Sequence, residues 1–157
     1  MSDIKLSWDI DVFEAIAKFL QSTNDVETDD GLSTMVIVSL FTDARADVDD
    51  PLPDENGGRR GWWADETSDK AGDSVGSKLW LYERSKLDDR VLLDIQKAGQ
   101  DALKWMTDEG VAKNVKVEAT MYALQSGKYT VLLTVEITKP DGKKLPYKFE
   151  GLWEGTL

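Results

Sequence analysis

Three runs of alternating apolar residues close the chain and settle most of what its last third can become. Val115, Val117, Ala119, Met121 and Ala123 form the first; Tyr129, Val131, Leu133, Val135 and Ile137 the second; Leu145, Tyr147, Phe149, Gly151 and Trp153 the third. A period of two places each set on one face of a strand. Gln125-Ser126-Gly127-Lys128 and Pro140-Asp141-Gly142-Lys143 supply turn residues between the runs, so the spacing predicts a three-stranded antiparallel meander over 114–154. Its apolar face needs a lid. Thr130, Thr134, Glu136 and Lys148 are expected to face solvent on the other side.

The lid is a helix over about 88–108. Val91, Leu92, Ile95, Ala98, Ala102, Trp105 and Met106 make its apolar stripe, Ser85 or Asp88 can cap its start, and Gly110 stands where a left-handed C-terminal cap is favoured. Gly99 inside it costs about 1 kcal/mol relative to Ala, which predicts a second element crossing closely there. Upstream, Asp11-Val12-Phe13-Glu14 has capping-box spacing ahead of Ile16, Ala17 and Leu20, giving a first helix over about 12–21. An acidic connector, 24–31, leads on to the next apolar element, and residues 1–30 make up an N-terminal segment. Leu32 to Thr42 fits two templates, a β-branched buried strand around Met35-Val36-Ile37-Val38 and a helical face of Leu32, Met35, Val36, Ser39 and Leu40; the periodicity leans to helix without excluding strand. The expected architecture is therefore α+β, with N-terminal helices and one long central helix packed on a C-terminal sheet. At 157 residues and 41% apolar content it is expected to form a single domain.

Composition removes whole classes of function. With neither histidine nor cysteine, Ser-His-Asp and Cys-His nucleophilic sites, zinc sites on thiolate or imidazole, and disulfides are all impossible. A net charge of −11 repels phosphate backbones and anionic lipid, so nucleic acid and membrane are not the expected partners; protein is. No cofactor or metal is expected either. Asp47-Val48-Asp49-Asp50-Pro51-Leu52-Pro53 departs from the EF-hand pattern where a ligand and the turn glycine should stand, and Gly57-Gly58-Arg59-Arg60-Gly61 lacks the lysine of a phosphate loop. The N-terminus has no signal-peptide core, and cytoplasmic synthesis is expected. A glycosidase needs only two carboxylates; Asp65 and Glu83 have the most apolar local context, and each is also a natural ion-pair partner for a neighbouring arginine.

From Asp43 to Gly76 no period is sustained, and a loop of that length in a compact domain is functional or is ordered by a partner. At its centre lies Gly58-Arg59-Arg60-Gly61-Trp62-Trp63-Ala64-Asp65. Adjacent indoles cannot share one face of a strand, so one core rarely absorbs both. Arginine and tryptophan are also enriched where binding energy concentrates. The loop thus reads as a docking element, the competing reading being that Trp62 closes the core while Trp63 lies over the Arg59 or Arg60 guanidinium.

Leu32-Ser33-Thr34, Ser39 to Ala46, Arg59 to Asp65, Gly76 to Leu81 and Ala102 to Met106 together resemble the small tail baseplate protein of Mu-like phages and prophages, over about 31–153. The chain departs from that pattern at Ala44 and Gly58, where members carry arginine and aspartate. The resemblance implies a small wedge subunit of contractile injection systems, related to those of T-even phages and type VI secretion. It implies a non-enzymatic protein of the virion tail, assembled in the host cytoplasm. Such a subunit binds two copies of a larger wedge subunit, seeds the tail sheath through its own sheet, and lies near central hub or spike proteins. Some relatives are described as tail lysozymes, so a peptidoglycan hydrolase is the alternative. The expected protein interface comprises Arg45, Arg59, Arg60, Gly61, Trp62, Trp63, Asp65 and Trp80.

Overall fold

The computed structural model describes residues 31–62, 75–150 and, by backbone alone, 154–155. The expected helix over 12–21, the acidic connector up to Asp30, Trp63, Asp65 and Trp153 lie outside the described residues.

The first described element, α1 (Leu32–Phe41), is a helix, so helical periodicity prevails over the β-branched run. Leu32, Val36, Ser39, Leu40 and Phe41 are buried, while Met35 and Val38 remain 47% and 45% exposed on the opposite face. Phe41 meets Phe149 of the sheet edge-to-face, with ring centroids 5.2 Å apart. After the loop the chain returns beside the end of α1. Asp43 and Ser77 form a parallel bridge, with Ala44 N–H donating to Ser77 O at 2.9 Å and Ser77 N–H to Thr42 O at 2.8 Å. Only glycine fits at position 76: a Cβ there would stand 2.3 Å from Thr42 O, and φ is +116°. A 3₁₀ turn, Leu79–Tyr82, then buries Leu79, Trp80 and Leu81.

The central helix begins as expected, with Asp88 accepting the Val91 N–H at 2.8 Å. It is not continuous. α2 (Asp89–Ala102) and α3 (Lys104–Asp108) are separated at Leu103, where Met106 N–H bonds the Leu103 carbonyl, a tightened turn. In an unbroken helix Leu103 would sit about 80° from Ile95 at 100° per residue. The break accompanies complete burial of Ile95, Leu103 and Met106 together. Gly99 does mark a close crossing: an added Cβ would lie 3.0 Å from Val117 Cγ1.

The sheet has the order β1 (Asn114–Ala123), β2 (Tyr129–Thr138), β3 (Lys144–Phe149), all antiparallel, with Ala123 opposite Tyr129 and Leu133 opposite Phe149. The third strand is shorter than its alternation suggests. Pairing with β2 stops at Phe149 and resumes in β4 (Glu154–Gly155) with Thr130 opposite Glu154, two residues out of the β3 register. Val115, Val117, Val131, Leu133, Val135, Ile137, Tyr147 and Phe149 join the helices in one buried cluster. On the other face Lys148 is exposed and Thr134 and Glu136 are half-buried. Thr130, expected at solvent, is fully buried where β4 returns to β2, and its hydroxyl makes no hydrogen bond among the described residues.

Both outer edges of the sheet are blunted. Leu124 N–H donates to Lys128 O, so even-numbered β1 residues face β2 and odd-numbered ones turn their N–H and C=O outward. Gln100 Nε2 donates to Val115 O at 2.7 Å and its Oε1 accepts from Val117 N at 3.0 Å; Gln96 Oε1 accepts from Ala119 N at 3.4 Å. The contact from Lys139 N–H to Lys143 O sets the opposite phase in β3, putting Lys144, Pro146 and Lys148 outward. A proline whose missing donor faces away from the ladder, flanked by lysines, is the composition of a protected edge.

Candidate functional site: the arginine-tryptophan loop

The loop that leaves α1 is tied back to the body by its own arginines. Arg60 adopts φ +40° and Gly61 φ +117°, so consecutive left-handed residues turn the chain sharply. Gly61 lies against Arg45, where an added Cβ would stand 3.1 Å from Arg45 Cβ. The turn directs the Arg60 guanidinium inward. Nη1 donates to Asp43 Oδ2 at 2.9 Å and Nη2 to Glu83 Oε1 at 3.3 Å, while the guanidinium carbon sits 4.7 Å from the Trp80 ring centroid. Trp80 is 2% exposed, and its indole N–H donates to Ala44 O at 2.8 Å. Trp80 is thus a buried platform under Arg60.

Arg59 stitches the other side, donating from Nη1 to Asp47 O and from Nη2 to Val48 O at 2.9 Å, while Ala46 N–H donates to Arg59 O. Lys78 Nζ bridges Asp47 and Asp50 at 2.5 and 2.6 Å, clamping the acidic stretch to the strap that follows Gly76. The described half of the loop is thus organised by intrachain bonds.

The charges titrate accordingly. Burial pushes the Asp43 carboxyl above its usual range, outweighing the hydrogen bond and charge of Arg60. Asp50 is held below the usual range, chiefly by its hydrogen bond from Lys78. Burial alone would lower Lys78, but the hydrogen bonds to Asp47 and Asp50 leave it raised.

Arg45, Arg59, Arg60, Gly61, Trp62 and Trp80 are therefore brought together, with Trp62 37% exposed beside the pinned turn. Glu83, a candidate acid by sequence context, is an ion-pair partner of Arg60. Among the described residues no group of three or more acidic side chains converges to hold a metal ion. Also among them, no helix is long and apolar enough to cross a membrane. Sequence reasoning missed the Lys78 clamp, whose charges lie 28 and 31 residues apart with no spacing to mark them. It also missed an open groove of ≈ 630 Å³ lined by Met35, Val38, Ala102 and Trp105.

The chain is an α+β protein with a short antiparallel sheet under a broken helix and a loop pinned by its own arginines, and its sequence has neither histidine nor cysteine. The chain belongs to the family of phage protein GP46, whose model matches residues 32–144. It is 35% identical over 155 residues to "Baseplate protein gp46" of Escherichia phage Mu, covering 99% of each chain. To "Mu-like prophage FluMu protein gp46" of Haemophilus influenzae it is 34% identical over 153 residues, covering 98% of each. No solved structure matches it.

Proposed function

We propose that this chain is a structural, non-enzymatic wedge subunit of a contractile phage tail baseplate, carried in the virion and assembled in the host cytoplasm. The observation that carries the reading is the loop at Arg59 to Trp62. Its arginines hold the turn, and Trp62 beside it is 37% exposed. A rigid turn that presents an aromatic side chain contributes binding energy without a large ordering cost. The full-length relationship to a protein named for the baseplate supports placing that contact in the baseplate.

The partner at this loop is a larger wedge subunit, two copies per small subunit, with Trp62 and Trp63 inserted and Arg45 at the rim. A second contact is made by the sheet, which accepts a strand from the tail sheath and so seeds it; hub or spike proteins lie beyond. Among the described residues, the outward backbone groups of Met121 and Ala123 at the far end of β1 have no partner, which supports that end as the place of strand addition. Pull-down of the tagged protein from an induced lysate tests the assignment. Recovery of a large baseplate subunit supports assembly, whereas peptidoglycan clearing by the purified chain, lost in Glu83→Gln or Asp65→Asn, overturns it in favour of a hydrolase.

A further inference from the structure

The outward edge of β1 is self-complementary about Val117, and over Val115 to Ala119 it is closed. Antiparallel pairing of two copies about Val117 would set Lys116 of each opposite Glu118 of the other, since residues whose numbers sum to a constant face one another. Both side chains are exposed, at 62% and 52%, and within one chain they already lie 2.7 Å apart. Val117 turns its N–H and C=O outward and would supply the central bond pair of that dimer, with the Val115 carbonyl and the Ala119 N–H supplying the next pair. These are the groups the helix occupies. Gln100 takes Val115 O and Val117 N, and Gln96 takes Ala119 N. The two glutamines are one helical turn apart on α2, and Gly99 beside Val117 lets the helix approach closely enough for their amides to reach the edge.

We propose that Gln96 and Gln100 are edge guards: their side-chain amides stand in for a neighbouring strand over Val115 to Ala119 and so prevent a second copy of this chain from pairing along β1. A chain that must remain unpolymerised until it meets other proteins has a physical need for such a device, because an open strand of this length is a template for edge-to-edge association. The guard works through bonds that any added strand must displace, and it leaves Met121 and Ala123 uncovered. It stands whether or not the sheet meets a sheath.

Sedimentation velocity over a concentration series, with amide hydrogen exchange by NMR, tests it in the full chain. Wild type should remain monomeric, with the Val117 and Ala119 amides exchanging about tenfold more slowly than those of Met121 and Ala123. Gln96→Ala/Gln100→Ala should raise exchange at Val117 and Ala119 about five- to tenfold and should dimerise as concentration rises. Adding Lys116→Glu should abolish the dimer, and adding Glu118→Lys to that variant should restore it. A double-alanine chain that stays monomeric overturns the guard role, and a dimer indifferent to the charge swap overturns β1-to-β1 pairing. Should the double variant not fold, the wild-type exchange comparison decides alone: equal rates at the four amides overturn the proposal.

Discussion

Replacing Arg60 with alanine separates an arginine that pins the loop from one that binds a partner. Its guanidinium lies over a tryptophan that is 2% exposed, a cation–π contact contributing about 1 kcal/mol. The ion pairs to Asp43 and Glu83 involve side chains about a quarter to a third exposed, so solvent screening limits them to roughly 0.5–1 kcal/mol together. The sum is about 2 kcal/mol, which for a chain of this size lowers Tm by roughly 4–8 °C. Arg60→Gly loses the same contacts but relieves the positive φ, so it should be less destabilised than Arg60→Ala by about 1 kcal/mol. Differential scanning calorimetry of wild type and the two variants measures this directly. An Arg60→Ala chain that melts with wild type refutes the pinning argument. So does an Arg60→Gly chain less stable than Arg60→Ala, because the left-handed turn would then not be a constraint.

Other consequences follow from the same geometry. Because the folded chain raises the Asp43 pKa, it binds more protons than the unfolded chain just above pH 3.8, and Asp43 makes stability rise as pH falls there; Asp50, lowered, makes stability fall as pH drops below 3.8. Asp43→Asn should remove the first component and leave the second, read from urea midpoints across that range. Gly76→Ala should cost at least about 3 kcal/mol, since its Cβ would overlap the Thr42 carbonyl, whereas Gly99→Ala should cost only about 1 kcal/mol, helix propensity offsetting part of the contact with Val117. Thermal melts should rank them in that order. Thr120→Pro should unfold the sheet, because that N–H faces β2, while Met121→Pro, facing outward, should leave circular dichroism unchanged and block sheath growth on assembled baseplates.

The strands, the capped start of the central helix and the close approach at Gly99 were legible because each rests on a local signal: period two, an aspartate before an apolar stripe, a glycine inside a helix. The break at Leu103 was not, since it reflects how Leu103 and Met106 bury together against elements distant in sequence. The two-residue shift between β3 and β4, and the burial of Thr130 that goes with it, likewise depend on how the chain end returns to β2. In the loop, sequence singled out the arginines and tryptophans without showing how the arginines are held. Composition says that arginine and tryptophan concentrate binding energy, but not that Asp43, Glu83 and the carbonyls of Asp47 and Val48 would claim both arginines first. Gln96 and Gln100 gave no signal at all, because a polar residue on the flank of an amphipathic helix normally meets water.

The central claim is that the exposed end of this loop, and not its arginines, carries the contact with a larger baseplate subunit. The direct measurement is quantitative co-purification of that subunit with wild type, Arg60→Lys and Trp62→Ala/Trp63→Ala from matched induced lysates, beside the Tm of each free chain. The account predicts that the tryptophan variant loses the partner at least about a hundredfold, as removal of an interface-centre aromatic costs on the order of 2 kcal/mol or more for each ring. Its Tm should move little, while Arg60→Lys should still bind. Undiminished recovery with the tryptophan variant would contradict the claim, as would a tryptophan variant that is unfolded at room temperature while any folded fraction still binds.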